Sequence, residues 1–156
     1  MTTIAYKNGI MAADTRLTAK NFIIAGEAKK IFQLDHALVG IGGDADESIN
    51  YNEAFNTLKL PEDIPEWLES LEKEGAKWEL LIVFKNWPNM VFLCKCDKDD
   101  HVFWSTTLDE GKGMALGSGC DYAEAAMTMG ATAEEAVFVA MEHDASTGGS
   151  VIAYDL

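Results

Sequence analysis

Thr2-Thr3-Ile4-Ala5-Tyr6-Lys7-Asn8-Gly9-Ile10-Met11-Ala12-Ala13 is the stretch from which the rest of the fold can be read. Apolar runs flank Lys7-Asn8-Gly9, and Asn-Gly between such runs is the strongest short-range hairpin signal. Two short strands are therefore expected over residues 2–13. Outward from them, 22–25 (FIIA) and 30–34 (KIFQL) are short strand candidates with Gly26 between. Residues 37–42 (ALVGIG) are an apolar run ending in glycines, the mark of a buried strand closely approached by other backbone. The period then changes. Residues 44–58 place Ile49, Ala54, Phe55 and Leu58 on one helical face, opened by Asp44 with Glu47 in a capping-box pattern. Pro61 ends that stretch. Residues 62–74 give a second, acidic helix with Ile64, Trp67, Leu68 and Leu71 inward and Gly75 as its cap.

Farther on, 78–84 (WELLIVF), 90–96 (MVFLCKC) and 101–106 (HVFWST) are rich in β-branched and aromatic residues. They read as an antiparallel meander. The Asp97–Asp100 tip between the last two resembles half a calcium loop, but without EF-hand spacing or a bidentate Glu it reads as a solvated turn. Residues 119–129 and 132–143 are expected helices, the first with Ala123, Ala126 and Met127 on one face. Thr132 and Glu135 form a capping box for the second. Residues 150–155 (SVIAYD) close the chain as a strand. Strands, two helices, strands, two helices and a strand, with no linker or repeat, make one α+β domain over residues 1–156.

Composition narrows the function classes. Of 156 residues, 48% are apolar and 24% charged, which suits a globular core. Twelve Lys and Arg against 26 Asp and Glu give a net charge of −14, with a pI near 4.4. Nucleic-acid binding needs a basic face to neutralise phosphates, so no nucleic-acid partner is expected. Anionic membrane surfaces are disfavoured for the same reason. No apolar run approaches the ~20 residues that span a bilayer, and Lys7, Asn8 and Asp14 interrupt any signal-peptide core. A cytoplasmic location is the expectation. Cys94, Cys96 and Cys120 form no disulfide framework, and Cys94-Lys95-Cys96 has the wrong spacing for zinc. His36, His101 and His143 are not paired as ligands. No metal and no cofactor are expected.

The chemically informative position is Thr2. Methionine before so small a residue is normally trimmed in the cytosol, which leaves Thr2 with a free α-amine beside its own hydroxyl. A hydroxyl needs a base to become a nucleophile. An α-amine of pKa ~7.7–8.0 is partly neutral near pH 7 and can accept a proton. One residue then supplies attacker and base.

Thr2-Thr3-Ile4-Ala5, Ala13-Asp14-Thr15-Arg16 and Gly26 followed by Lys29-Lys30-Ile31 together resemble the catalytic core of proteasome β-type subunits. The likeness is closest to the bacterial ring protease HslV. The family's Asp and Lys stand sixteen residues apart, as Asp14 and Lys30 do. Gly42-Gly43-Asp44-Ala45-Asp46 resembles the family's Gly-rich turn before its first helix. Ala115 to Ala123, around Gly117-Ser118-Gly119, resembles its strand-to-helix turn. Asp144 with Thr147-Gly148-Gly149 resembles its Asp-x-x-Ser-Gly-Gly signature, with Thr for Ser.

The resemblance implies a four-layer αββα sandwich of two antiparallel sheets flanked by helices, the N-terminal-nucleophile (Ntn) hydrolase fold. It also implies a threonine protease cutting unfolded polypeptide or peptide substrates inside a homo-oligomeric ring served by an ATP-dependent unfoldase. From sequence alone Asp14 is a turn carboxylate and Lys30 a surface lysine. The resemblance makes them a buried pair, with Lys30 lowering the pKa of the amine and Asp14 keeping Lys30 charged. Lys29 is then the exposed neighbour. Gly42 supplies the oxyanion donor, with Gly43 the alternative, and a helix beginning just after adds its positive end. Ser118 and Asp144 hold the amine and its proton path, and Thr147 replaces the family's Ser while keeping a hydroxyl. The second long helix is shorter than in the family, around residues 59–80. A retained Met1 would turn the amine into an amide, giving a non-catalytic scaffold subunit. An Ntn amidase for small amides is a further alternative, and an acidic binding module with no convergence of Thr2, Asp14 and Lys30 is another.

Overall fold

In the computed structural model, which describes residues 2–44, 51–72, 77–97 and 100–156, the first hairpin forms where Asn-Gly predicts it. Asn8 and Gly9 take φ of 51° and 81°, the left-handed pair that a two-residue turn requires. The turn joins β1 (Thr3–Lys7) to β2 (Ile10–Asp14), with Ile4 opposite Ala13. β10 (Gly113–Gly117) pairs with the other edge of β1, and β11 (Val151–Asp155) with that of β2. All are antiparallel, in the order β10-β1-β2-β11.

A second antiparallel sheet runs β5 (Ile31–Gln33), β6 (Ala37–Asp44), β7 (Lys77–Phe84), β8 (Met90–Asp97) and β9 (Asp100–Thr107), in sequence order. Its last three strands are the expected meander. β3 (Leu17–Ala19) and β4 (Phe22–Ala25) make a third, two-stranded sheet. Leu17-Thr18-Ala19 is too short for alternation to register, so only β4 was legible from pattern. The helices are α1 (Tyr51–Thr57), α2 (Ile64–Glu72), α3 (Cys120–Thr128) and α4 (Ala133–His143). Among the described residues this is a mixed α/β fold of three antiparallel sheets and four α-helices, richer in strand than in helix.

The largest departure from expectation lies after β6. The strand runs on to Asp44, opposite Lys77, so Asp44 is a strand residue rather than the start of a helix. Ala45, Asp46, Glu47, Ile49, Gly75 and the tip residues 98–99 lie outside the described residues. Pro61 opens a 3-10 turn, Pro61–Asp63, rather than merely ending a helix. The Thr132 capping box is present: the Glu135 amide donates to Thr132 Oγ1 at 3.2 Å, and the Thr132 amide to Glu135 Oε2 at 2.8 Å. No helix among the described residues is long and apolar enough to cross a membrane.

Alternation along the strands sorts the core into three clusters. Ala37, Val39 and Ile41 of β6 pack with Phe55, Leu58, Ile64, Trp67 and Leu68 from α1, α2 and the turn after α1. Leu38, on the other face of β6, packs with Ile4, Tyr6, Met11 and Ala13 of the first sheet. Ala5 and Ala12 face the other way, toward Ala123, Met127, Ala136 and Val137 of α3 and α4. On the Leu38 face the next two alternate positions are Gly40 and Gly42. A Cβ at Gly40 would lie 2.8 Å from Ile4 Cγ2, and one at Gly42 would lie 2.8 Å from Thr2 Cγ2. These missing side chains let the start of β1 settle against β6.

Gly40→Ala should therefore force Ile4 and Met11 aside and cost about 1–3 kcal/mol, as overpacked cores do. Chemical denaturation at neutral pH should show a lower midpoint with an unchanged slope.

Candidate active site

β2 ends on Asp14, which is 0% exposed. A buried carboxylate must be surrounded by donors, and this one is. Its Oδ1 accepts from Lys30 Nζ at 2.8 Å, Thr2 Oγ1 at 2.9 Å and the Thr3 amide at 2.9 Å. Its Oδ2 accepts from the Gly148 amide at 3.0 Å. Lys30 stands immediately before β5 and is buried, and it also donates to the Arg16 carbonyl at 2.6 Å. Burial pushes its pKa below the ordinary lysine value, against the opposing pull of the Asp14 carboxylate. Lys29 points outward, its ammonium 4.6 Å from the centre of the Phe32 ring. Thr2 is itself buried, on the face of β1 that meets Gly42.

A second cluster adjoins the first. Ser118 follows β10, and Asp144 caps the C-terminus of α4, its amide bonded to the Ala140 carbonyl at 2.8 Å. A carboxylate there opposes the helix dipole and needs compensation. Asp144 Oδ2 accepts from Ser118 Oγ at 2.5 Å and Thr147 Oγ1 at 2.6 Å, while Oδ1 accepts from the Ser146 amide at 3.0 Å. Burial alone would raise the pKa of Asp144, but these hydrogen bonds outweigh it and hold the carboxyl below the usual Asp value. Ser118 Oγ also lies 3.4 Å from the Thr2 carbonyl oxygen, so both clusters border residue 2.

The structure thus gathers Thr2, Asp14, Lys30 and Gly42 in one group and Ser118, Asp144 and Thr147 in an adjacent one. The β6 ladder also orients the amide of Gly42. The Ile41 amide donates to the Lys30 carbonyl at 2.8 Å, on the β5 side. Alternation in an antiparallel ladder turns the Gly42 amide the other way, toward its β7 partner Glu79.

Three residues given no role from sequence contribute as well. Thr15 ties the feet of the β3–β4 hairpin together: its Oγ1 donates to the Gly26 carbonyl at 2.5 Å and accepts from the Ser150 amide at 2.8 Å. Arg16 lays its guanidinium against Gly148 and donates to the Ala145 carbonyl at 3.4 Å. Thr3 places its hydroxyl 2.7 Å from that of Thr147. Their only signal in sequence was adjacency to the Asp14 and Thr2 motifs. Chemically, a hydroxyl and an ammonium whose proton is loosened by burial share one carboxylate oxygen, beside a run of hydroxyls on a second carboxylate.

Because Asp144 has a lowered pKa in the folded state, its stabilising effect is complete above the unfolded value of about 3.9 and is lost as pH falls through the folded one. Asp144→Asn should therefore be less stable than the parent at pH 7. The gap should close as pH drops below about 4, measured by urea unfolding at the two pH values.

No family model matches this chain, and no curated protein matches it; what the site does has to be argued from these contacts.

Proposed function

We propose that the chain is a threonine-type peptidase subunit of the proteasome β-type and HslV kind, an Ntn hydrolase whose three core clusters correspond to the three interfaces between the four layers of an αββα sandwich. The observation that carries this reading is the single Asp14 oxygen shared by Thr2 Oγ1 and Lys30 Nζ. A lysine and a carboxylate sixteen residues apart have no structural need of the Thr2 hydroxyl, whereas the proposed nucleophilic mechanism uses all three.

In the proposed reaction Met1 is first removed. The Thr2 α-amine, through a water molecule, takes the proton of Oγ1 as that oxygen attacks the peptide carbonyl. Lys30 stabilises the developing negative charge on Oγ1. The carbonyl oxygen becomes an oxyanion, and a fixed backbone amide lowers the energy of that state. Of the two candidates, Gly43 is proposed as that donor, because the β6 ladder turns the Gly42 amide toward Glu79 while the missing side chain of Gly42 leaves room for Thr2. Collapse breaks the C–N bond, and the leaving amine takes the proton held by the α-ammonium. Water activated by the same amine then hydrolyses the acyl-enzyme and restores Thr2. Asp144, Ser118 and Thr147 hold the amine. A homo-oligomeric ring, an ATP-driven unfoldase and unfolded polypeptide substrates belong to the same proposal.

The scaffold reading keeps one observation in its favour: with residue 1 attached, Thr2 nitrogen is an amide and Thr2 is only 3% exposed. Intact mass separates the two, since the peptidase requires a chain lacking Met1.

Thr2→Ala should lower hydrolysis of a fluorogenic peptide by about 10³-fold or more and leave assembly unchanged by light scattering. Parental rates in that variant would remove Thr2 as the nucleophile. An N-terminal tag that cannot be cleaved should silence the enzyme, and the same tag at the C-terminus should not. Equal activity of the two would exclude the amine as base.

A further inference from the structure

We infer that Thr3 is a positioning residue of this site: its amide holds one carboxylate, Asp14, while its hydroxyl begins the chain of donated protons that ends on the other, Asp144. The catalytic part of this inference rests on the peptidase reading; the structural part does not.

Thr3 is 0% exposed and lies on the face of β1 opposite Thr2. Its hydroxyl and that of Thr147 are 2.7 Å apart, and distance alone leaves the donor open. The next link closes the question. Thr147 carries one hydroxyl proton, and its oxygen is 2.6 Å from Asp144 Oδ2. An ionised carboxylate can only accept, so the Thr147 proton lies on that contact. Thr3 is then the donor to Thr147. The same reasoning commits the Ser118 proton to Asp144.

Two consequences follow. Donation by Thr3 polarises the Thr147 hydroxyl and strengthens its bond to Asp144, since linked hydrogen bonds reinforce one another. It also takes one of the two accepting lone pairs of Thr147. Ser118, 3.4 Å from the Thr2 carbonyl, keeps an accepting lone pair near the chain start. The fold reserves space for the hydroxyl pair: a Cβ at Gly119 would collide with Thr3 Oγ1 and lie 3.1 Å from Thr147 Oγ1.

Among the described residues few charged groups act on Asp144, besides the positive charge of the chain's N-terminus. Lys30 acts on it across the site. Arg16 reaches the neighbouring Ala145 carbonyl. His143 is adjacent in sequence but stacks on Tyr122 at 5.2 Å. The Thr2 amine joins them once Met1 is gone.

Thr3→Val keeps shape and amide and removes the hydroxyl; Thr3→Ser restores it. The Asp144 carboxyl should titrate roughly 0.1–0.6 pH unit higher in Thr3→Val, about a tenth to a third of one charge-assisted hydrogen bond, when followed by carbon NMR. Thr3→Ser should return it to the parental value. In peptide hydrolysis, Thr3→Val should lower kcat roughly ten- to a hundredfold with KM unchanged, and move the acid limb of the pH profile upward. In a Thr147→Val background, Thr3→Val should add little further shift, because the link it acts through is gone. Identical Asp144 titration in parent and Thr3→Val, or full additivity with Thr147→Val, overturns the inference. If the parent itself cleaves no peptide, the peptidase reading falls while the Asp144 titration still decides the role of Thr3.

Discussion

One oxygen of Asp14 ties the site together. A carboxylate wholly removed from water is costly unless every lone pair is used, and here four donors come from three separate segments of the chain: Thr2 and Thr3, Lys30, and Gly148. Each segment is thereby fixed relative to the others. Breaking a buried pair by deleting one partner typically costs about 3–5 kcal/mol, far more than an exposed pair is worth. Position 30 accordingly carries a lysine inside a core rather than at the surface, and the carbonyl of Arg16 takes a second of its protons.

β1 shows how the site is brought to that oxygen. Thr3, Ala5 and Lys7 face α3 and α4, while Thr2, Ile4 and Tyr6 face the second sheet. Both faces are anchored by polar groups as well as by packing. Lys7 Nζ donates to the Met127 and Ala131 carbonyls at 2.9 and 2.8 Å, where the end of α3 leaves acceptors open. Tyr6 donates its hydroxyl to the Pro88 carbonyl at 2.6 Å. With its far end held on both sides and Gly40 and Gly42 making room beneath it, the strand has little freedom left at Thr2.

Sequence reached this arrangement unevenly. The Asn8-Gly9 turn, the meander and the Thr132 capping box were legible because short-range chemistry decides each of them. β3 and β10 escaped the pattern because one is three residues long and the other is bracketed by glycines, which weaken strand propensity. The contact of Asp14 with Lys30 was expected only by resemblance, since from local chemistry an acid after a strand and one of two adjacent lysines belong at the surface. The role of Thr3 depends on which hydroxyl has spent its proton, and no spacing rule carries that. The direction of the Gly42 amide was equally hidden: it follows from β6 continuing through Asp44 instead of turning into a helix.

The two carboxylates are not equivalent, and their difference bears on how such a site would work. Asp14 is sealed, shared among four donors and held against an ammonium, so a change in its protonation would unsettle several segments at once. Asp144 is only half-buried and rests on two hydroxyls and one amide. Hydroxyl donors can rotate, whereas strand amides and a buried ion pair cannot. A group meant to follow the protonation of a neighbouring amine belongs at the adjustable end, and a group meant to fix the attacking oxygen belongs at the rigid one. In the proposed hydrolase these would be Asp144 and Asp14 respectively. Thr3 is the residue that bonds to the rigid carboxylate through its amide and to the adjustable one through its hydroxyl and Thr147, and so keeps the two in register.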